Sequence, residues 1–436
     1  MKKFLKLFLS LCLVLSLVAC KGDSGAAGAN TNSDKKEESA VADDGKIHIK
    51  FWYAWKDKIG ENNENLVKMF NESQDRIVVE AEYQGTYDEL HSKTQAAFVA
   101  GNAPEVTENE IASMGVFARG GMTEDLTPFV TDDLKLDDFN EGLMGNAYVD
   151  GKLYGLPYLR STPILYKNVD MLEAAGLDPA GPRDWKEFKE YLQALRKGDQ
   201  YGLSTTIDDW IYEAFIGCAG GSMFEEDGIT PAFNKEPGVK AIGFWKELYD
   251  EDLMKLNVGE QAGDTEKQDF ANQKSAMFFT STADLSYNLG VAEEQGFKLD
   301  VSFIPKDVVN AVPTGGCNLV MTAGLSKEKQ EAAWEFIKWM TATEQTAYAS
   351  AYTGYLPSRY SALETDTMKD LYAKTPQYMV AVDQLQYGRP RPMVEGYTEL
   401  TKYMMDEMTK LIVDGEGTPQ ECMDKVAKQA KSILKK

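Results

Sequence analysis

Residues 155–168 read GLPYLRSTPILYKN and combine features that rarely occur together. The stretch has the content of a buried strand, with six large apolar or aromatic side chains. Two prolines, Pro157 and Pro163, interrupt it, and proline cannot donate a hydrogen bond to a sheet ladder. A polar group, residues 160–162, lies between the two prolines. The stretch is therefore expected to cross the interior while pairing poorly as a strand.

The segments before this stretch alternate between strand and helix patterns. Strand patterns are KIHIKFWYAW (46–55) and RIVVEAEYQ (76–84); helix patterns are ENNENLVKMFNESQ (61–74) and TYDELHSKTQAAFVAGN (86–102). Such alternation predicts a parallel sheet that is covered by helices on both faces. Ligands of such sheets bind beyond the carboxyl ends of the strands. Those ends lie near Trp55, Tyr87 and residues 108–110.

A second α/β region follows the opening stretch. Its helix patterns include residues 183–198 and 332–351, and its strand patterns include KSAMFFTS (274–281) and FKLDVSFIPK (297–306). A chain of 436 residues is too long for one ordinary domain, so two domains are expected.

The N-terminus has the pattern of an export signal. Residues 1–19 open with MKK and continue as a short apolar run, which is too short for a transmembrane helix. The run ends in LVAC, which resembles a bacterial lipobox, so Cys20 is the expected lipidation site. Residues 20–45 are rich in small and charged side chains and are expected to form a flexible tether. The protein is therefore predicted to be lipid-anchored at the extracytoplasmic face of the membrane.

Composition excludes some classes of function. The chain has 69 acidic and 46 basic residues, for a net charge of −23, and such a surface repels nucleic acid. The same charge favours a soluble monomer. Cys218, Cys317 and Cys422 remain besides Cys12 and Cys20, so at least one free thiol is expected outside the cytoplasm.

Catalytic signatures are absent from the sequence. It has no GxSxG, P-loop or GxGxxG motif and only two histidines, so neither a metal nor a cofactor is predicted. Aromatic residues near element ends are more informative, because sugar rings pair apolar faces with polar rims. Trp55 and Trp210 are such residues, while Trp245, Trp334 and Trp339 fall within helix patterns and are expected in the core.

Six motifs in order carry a family resemblance. They are YQGTYDEL (83–90), AAFVAGNAPEV (96–106), GLPYLRSTPILYKN with the helix that follows it, KSAMFFTS (274–281), PTGGCNLVM (313–321) and TGYLPSR (353–359). Together they resemble the extracellular solute-binding proteins of ABC importers, family 1, of carbohydrate type. Within that family the chain is most similar to the branch that binds sn-glycerol 3-phosphate. The resemblance covers residues 46–415.

The resemblance implies a two-lobed α/β fold of the type II periplasmic-binding-protein class, with a ligand cleft between the lobes. It assigns residues 46–158 with 305–354 to lobe 1 and residues 159–304 with 355–436 to lobe 2. Three hinge crossings then lie at the opening stretch, near residues 301–306 and near residues 353–359. The prolines of the opening stretch would stiffen its passage and limit its pairing.

The resemblance also implies a set of ligand contacts. These are Tyr87, Glu110, Ser161, Trp210, Ser281, Gly316, Tyr355 and either Arg389 or Arg391. The chain departs from the branch that binds sn-glycerol 3-phosphate at two positions. Ile207 stands where that branch has a second tryptophan, which argues against the phosphate ester. Arg160 replaces a neutral residue and adds a cation, which argues for an anionic ligand.

The function expected from this resemblance is capture of a carbohydrate or a glycerol-3-phosphate-like polyol and its delivery to ABC permease subunits, without catalysis. Two alternatives stay open from the residues alone. One is a secreted glycoside-active enzyme that uses cleft carboxylates such as Glu110. The other is a scaffold or adhesin that keeps the fold without binding a small molecule.

Overall fold

The computed structural model describes residues 42–259 and 261–435, which form fourteen strands and sixteen α-helices. The strands are β1 (Ile47–Tyr53), β2 (Ile77–Tyr83), β3 (Val106–Glu110), β4 (Tyr148–Val149), β5 (Lys152–Leu153), β6 (Leu156–Ser161), β7 (Pro163–Asn168), β8 (Tyr201–Thr206), β9 (Met254–Asn257), β10 (Ser275–Ser281), β11 (Leu299–Ser302), β12 (Val312–Pro313), β13 (Gly315–Met321) and β14 (Gly388–Arg389). The helices are α1 (Asp57–Ser73), α2 (Tyr87–Ala100), α3 (Met114–Arg119), α4 (Glu141–Met144), α5 (Val169–Ala174), α6 (Trp185–Leu195), α7 (Asp209–Cys218), α8 (Glu236–Asp250), α9 (Ala262–Ala271), α10 (Leu285–Gln295), α11 (Lys327–Met340), α12 (Thr343–Thr353), α13 (Asp366–Lys374), α14 (Gln377–Gln384), α15 (Tyr397–Ile412) and α16 (Pro419–Ile433). The predicted signal peptide (1–19), Cys20 and the predicted tether as far as residue 41 lie outside the described residues.

Five strands form a first sheet in the order β2-β1-β3-β13-β6. β1 pairs in parallel with β2 and β3, as the alternation of strands and helices predicts. β13 is antiparallel to both β3 and β6, so the expectation of a purely parallel sheet is wrong here. The reason is that β13 and β6 arrive from distant parts of the chain rather than through strand–helix–strand units. Helices α1 and α11 cover this sheet, where Phe336 packs edge-on against Phe51 and Phe70.

Five other strands form a second sheet in the order β11-β7-β10-β8-β9. β7 is antiparallel to β10 and β11, whereas β8 is parallel to β10 and β9. Helices α6, α7 and α8 pack beside it around an aromatic group in which Trp185 stacks on Phe244 with ring centroids 4.7 Å apart. α15 and α16 join the same core. The described residues thus form two five-stranded sheets, each with its own apolar core, and two small two-stranded sheets, β4-β5 and β12-β14.

The opening stretch joins the two sheets. β6 is an edge strand of the first sheet, β7 lies inside the second, and Thr162 alone separates them. All twelve strand residues are buried, and both strands pair, so the expectation of poor pairing is wrong. Proline is tolerated at edge strands and at the first residue of a strand, and Pro157 and Pro163 hold those two places.

Arg160 is completely buried at this junction. Its guanidinium donates hydrogen bonds of 2.8–3.1 Å to four uncharged oxygens, those of Gly315 O, Leu143 O, Asn318 Oδ1 and Thr314 Oγ1. Burial lowers the pKa of Arg160 to about 10, so the group is still a cation at neutral pH. Its donors are engaged with the protein's own oxygens, which contradicts the interpretation of Arg160 as a cation that favours an anionic ligand.

Cys218, Cys317 and Cys422 are buried free thiols, which agrees with the expectation of at least one unpaired cysteine.

Trp245 and Trp334 are buried in the core, as their helical positions predict. None of the helices within the described ranges has both the length and the hydropathy that a membrane span requires.

Candidate ligand-binding site

The carboxyl ends of β1, β2 and β3 bring together the first group of candidate residues. Trp55 follows β1 with a left-handed φ of 69°, which is uncommon for a bulky side chain. Its ring meets the ring of Tyr87 edge-on, with centroids 5.4 Å apart. Tyr87 is the first residue of α2, and Thr86 and Glu89 form a capping box there. Trp55 and Tyr87 are therefore in contact at the strand ends where ligand-binding residues are predicted.

Glu110 ends β3 and is connected to Tyr87 through His91, whose ring stacks on that of Tyr87 with centroids 6.3 Å apart. Its backbone N–H donates to Nε2 of His91 at 3.1 Å, and its own carboxylate accepts from the backbone N–H of Ala112 at 3.0 Å. Burial raises the pKa of Glu110, and the nearby Arg391 partly opposes that shift. Burial lowers the pKa of His91 to about 4, so this imidazole is neutral and can accept the hydrogen bond.

Helix α7 supplies a second group from the other sheet. Asp208 caps the helix by accepting from the backbone N–H of Ile211, and this fixes Trp210 in the first turn. The indole Nε1 of Trp210 donates to Thr314 O at 3.2 Å. A Cβ atom on Gly315 would lie 2.6 Å from the ring of Trp210 and 2.9 Å from Ser161 Oγ. Trp210 and Ser161 both lie against Gly315, so there is no room for a side chain at this position.

Ser281 and Tyr355 lie at adjoining turns. Ser281 ends β10, and its Oγ accepts from the backbone N–H of Ala283. The turn that follows adjoins Gly354, where a Cβ atom would lie 3.1 Å from Ala283 O. Tyr355 is buried, its carbonyl accepts from Ser350 Oγ at 2.6 Å, and its hydroxyl lies near that of Tyr87. These contacts link residues of the first and second sheets.

Gly316 has a positive φ of 89° at an irregularity in the pairing of β13 with β6. A side chain there would collide with the carbonyl oxygen of Leu159. The close approach that Gly316 permits is thus between two strands of the first sheet. A ligand contact by its backbone stays a prediction.

Arg391 occupies a buried position between the two groups. Its guanidinium nitrogens lie 2.7 Å from Asp209 Oδ2, 3.3 Å from Glu213 Oε2 and 3.8 Å from Glu110 Oε1. Asp209 and Glu213 belong to α7, whereas Glu110 belongs to β3. One cation therefore links three carboxylates from the two sheets, and we call these four residues the Arg391 cluster.

Arg389 lies elsewhere. It is exposed, and its Nη1 donates to Gly221 O at 3.0 Å. It lines a cavity of about 650 Å³ that shares Glu213 and Arg391 with the Arg391 cluster. The two arginines that the sequence leaves as alternatives thus have different surroundings. Within the described residues, no three side chains of metal-binding type lie close enough to share a metal ion.

Sequence reasoning missed Asp209, Glu213 and His91 as members of this site. Asp209 and Glu213 are four residues apart, a spacing that places two carboxylates on one face of a helix. That signal was present in DDWIYEAF (208–215), but their partner Arg391 lies about 180 positions further along the chain. Such a long-range pair cannot be found from spacing.

Three comparisons place the chain among known proteins. Residues 65–378 match the sequence profile of the family "bacterial extracellular solute-binding protein". The chain is 26% identical over 411 residues to the sn-glycerol-3-phosphate-binding periplasmic protein UgpB of Salmonella paratyphi A, a match that covers 89% of this chain and 92% of that protein.

Solved structures share the fold. UgpB from Mycobacterium tuberculosis, crystallised in complex with glycerophosphocholine, superposes with a TM-score of 0.77 at 24% identity and covers 89% of this chain and 98% of its own. The GacH receptor of Streptomyces glaucescens, crystallised unliganded and with acarbose, gives a TM-score of 0.77 at 21% identity over 89% and 98% of the two chains. The two-lobed α/β fold is thereby confirmed.

Proposed function

Because the chain belongs to the family of bacterial extracellular solute-binding proteins, we propose that it captures a carbohydrate or a glycerol-3-phosphate-like polyol for an ABC importer. It holds the ligand between two lobes and delivers it to the permease subunits. The observation that carries this proposal is that Arg391 joins Glu110 of β3 to Asp209 and Glu213 of α7, while Trp210 lies next to Asp209 in the same helix turn. Flat rings suit the apolar face of a sugar, and carboxylates accept from its hydroxyls.

The proposed ligand contacts keep the residues that the family resemblance implies. They are Tyr87, Glu110, Ser161, Trp210, Ser281, Gly316 and Tyr355, with Arg391 as the arginine. Arg391 is preferred over Arg389 because it lies next to Glu110, whereas Arg389 points to Gly221. In this arrangement Trp210 stacks on the ligand, and Glu110 accepts from a hydroxyl group.

Lobe closure is the proposed conformational step. The proposed lobes are residues 46–158 with 305–354 and residues 159–304 with 355–436, joined by three crossings; because β6 pairs in the first sheet as far as Ser161, the first crossing is proposed at Thr162. Support comes from the opening stretch, in which Thr162 alone separates strands of different sheets. Motion at a few such residues is sufficient for hinge closure around a ligand.

A lipid anchor at Cys20 completes the proposal. Signal cleavage after Ala19 and two acyl chains would hold a monomer at the extracytoplasmic face, since one chain alone binds membranes only weakly. Labelling cells with an alkyne-tagged fatty acid tests this. The wild-type protein should carry the label, and Cys20→Ala should lose it; equal labelling of both proteins would contradict the anchor.

Ligand binding itself is tested by thermal unfolding of the purified protein with a panel of saccharides, glycerol 3-phosphate and its diesters. A ligand at about 100 times its Kd stabilises the native state by about 2.7 kcal/mol, which raises the Tm by a few degrees. Trp210→Ala should weaken that ligand at least tenfold. Trp339→Ala, on the outer helix α11, is the control and should bind as the wild type does. The absence of a shift with every compound would favour the scaffold alternative.

The enzyme alternative has no support from these relatives, which are solute-binding proteins. A glycosidase also needs a carboxyl pair free to act on a substrate. The carboxylates of the Arg391 cluster instead share one guanidinium.

A further inference from the structure

The Arg391 cluster has more negative than positive charge. Three carboxylates surround one guanidinium, and all four side chains are mostly buried, with 12–21% of each exposed. Ion pairs at such depth are poorly screened by salt. When all three acids are ionised, the cluster has a net charge of −2.

The guanidinium of Arg391 donates hydrogen bonds to two of the three carboxylates. Nη2 donates to Asp209 Oδ2 at 2.7 Å, a length typical of a charge-assisted hydrogen bond, while Nε donates to Glu213 Oε2. The hydroxyl of Tyr397 donates to the same Glu213 oxygen at 3.2 Å, which fixes that carboxylate in place. Two of the three partners thus come from one rigid helix.

Further acids lie around this cluster. Asp208 directly precedes Asp209, and the charges of Asp209 and Arg391 both act on its carboxyl group. The carboxylate of Asp208 in turn raises the pKa of Glu266, as the second cause after burial. Glu266 is 93% buried, and its Oε1 has no hydrogen-bond partner within the described ranges. Burial, with a further contribution from the charge of Asp209, raises the pKa of Glu213 to about 7 although Arg391 opposes the shift.

We propose that Asp209 and Glu213 neutralise Arg391, and that the cleft therefore selects ligands without net negative charge over phosphomonoester dianions. Neutral saccharides and zwitterions belong to the selected class, and sn-glycerol 3-phosphate belongs to the rejected one. A dianion would have to displace two carboxylates from the guanidinium or lie beside them. This inference rests on the proposed function and names the ligand class of the same site, with Asp209 as a residue that determines specificity.

The test is isothermal calorimetry of the full protein with three probes: maltose, glycerophosphocholine and sn-glycerol 3-phosphate. The wild type should bind maltose or glycerophosphocholine and should bind sn-glycerol 3-phosphate at least 100-fold more weakly. Asp209→Asn keeps the shape of the side chain, removes one charge, and should strengthen the binding of sn-glycerol 3-phosphate at least tenfold. The gain should shrink at high salt, as expected for a charge effect.

The matched control is Asp252→Asn. Asp252 also pairs with an arginine, Arg196, at 2.7 Å, but this pair is outside the cluster and its aspartate is exposed. This variant should keep the wild-type preference. Glu213→Gln removes another charge from the cluster and provides the same test should Asp209→Asn fail to fold.

The outcomes separate this inference from the function on which it rests. Tight binding of sn-glycerol 3-phosphate by the wild type would overturn the inference and leave the proposed function standing. If Asp209→Asn and Glu213→Gln bound that ester with the affinity of the wild type, the inference would also be overturned and the proposed function would stand. Failure of the wild type and of both variants to bind any probe, or any member of a wider saccharide panel, would overturn the proposed function itself.

Discussion

At the scale of single residues, two glycines differ in what their missing side chain does. Gly316 combines a φ of 89° with a neighbouring carbonyl that a Cβ atom would strike. Gly263 lies in helix α9, and a Cβ atom there would meet nothing within 4 Å. The first position therefore requires glycine, while the second only tolerates it.

Gly316→Ala should lower the free energy of unfolding by roughly 2 kcal/mol or more, since it adds strain at a positive φ and a backbone collision. Gly263→Ala should raise it by about 0.5–1 kcal/mol, because alanine favours the helix. Urea unfolding of both variants measures the two effects. Equal stability of Gly316→Ala and the wild type would contradict the close approach at the bulge.

Glu108 predicts a pH dependence of stability. It is fully buried in the first core, accepts from Ala54 N and Asn63 Nδ2, and burial raises its pKa from 4.5 to about 8. Between those values the folded state binds a proton that the unfolded state releases. The contribution of Glu108 to the free energy of unfolding is therefore fully present below pH 4.5 and is lost as the pH rises through about 8.

Between pH 6 and pH 9 the wild type should lose on the order of 2 kcal/mol through this group. Glu108→Gln cannot titrate and should lose correspondingly less over the same range. Urea unfolding at pH 6, 7.5 and 9 gives both slopes, and their difference isolates Glu108 from other titrating groups such as His48. Parallel slopes would mean that Glu108 is ionised throughout.

At the scale of elements, Arg160 binds several segments to one another. Arg160 belongs to β6, and its guanidinium donates hydrogen bonds to oxygens of α4, of β13 and of Thr314, the residue that precedes β13. The backbone carbonyl of Arg160 accepts from Leu356 N at 2.7 Å. The junction between the sheets therefore depends on one planar, five-donor group.

Arg160→Met should lower the free energy of unfolding by roughly 3 kcal/mol, because several buried oxygens lose their donors. Arg160→Lys should recover little of it, since an ammonium group cannot reach the same acceptors as a planar fork. Arg183→Met is the control: Arg183 is exposed, and its ion-pair partner among the described residues is Glu187, so its loss should cost less than about 0.5 kcal/mol. Chemical denaturation at neutral pH compares the three.

Elements with a local signal could be predicted from the sequence. β1, β2 and α2 follow from alternation, helical spacing and the glycine at the end of α2, since each signal lies within about fifteen residues. The pairing of β6 with β13 could not be predicted, because it joins residues about 155 positions apart and overrides the proline signal. The Arg391 cluster was missed for the same reason. Glu110 and Arg391 became candidates through the family resemblance, whereas Trp210 was already a candidate as an aromatic residue near a predicted element end.

At the scale of the whole molecule, the two sheets are joined by further contacts besides the crossings and the Arg391 cluster. One of them is the contact between α1 and α10, where Lys58 Nζ donates to Ser286 Oγ at 3.0 Å. This bond is exposed and joins helices that follow strands of different sheets. Such a contact can open and close at little cost in free energy.

Small-angle X-ray scattering tests the proposed closure. The radius of gyration should fall when the protein is saturated with the panel compound that gives the largest thermal shift, because hinge closure brings the lobes together. Trp210→Ala, measured at a compound concentration that just saturates the wild type, is the control and should contract less, because its affinity is at least tenfold weaker. An identical radius with and without the compound would count against a hinge mechanism.

The three buried thiols have a consequence for how this protein can be studied. Burial raises the pKa of Cys218 and Cys422 to about 11 and holds the pKa of Cys317 well above its usual range, so none of them offers a reactive thiolate at neutral pH. Cys317 belongs to the first sheet and Cys218 to the core of the second. The rate at which a maleimide modifies each thiol therefore measures how often the surrounding core opens, and the chain carries a separate reporter of local unfolding in the core of each five-stranded sheet.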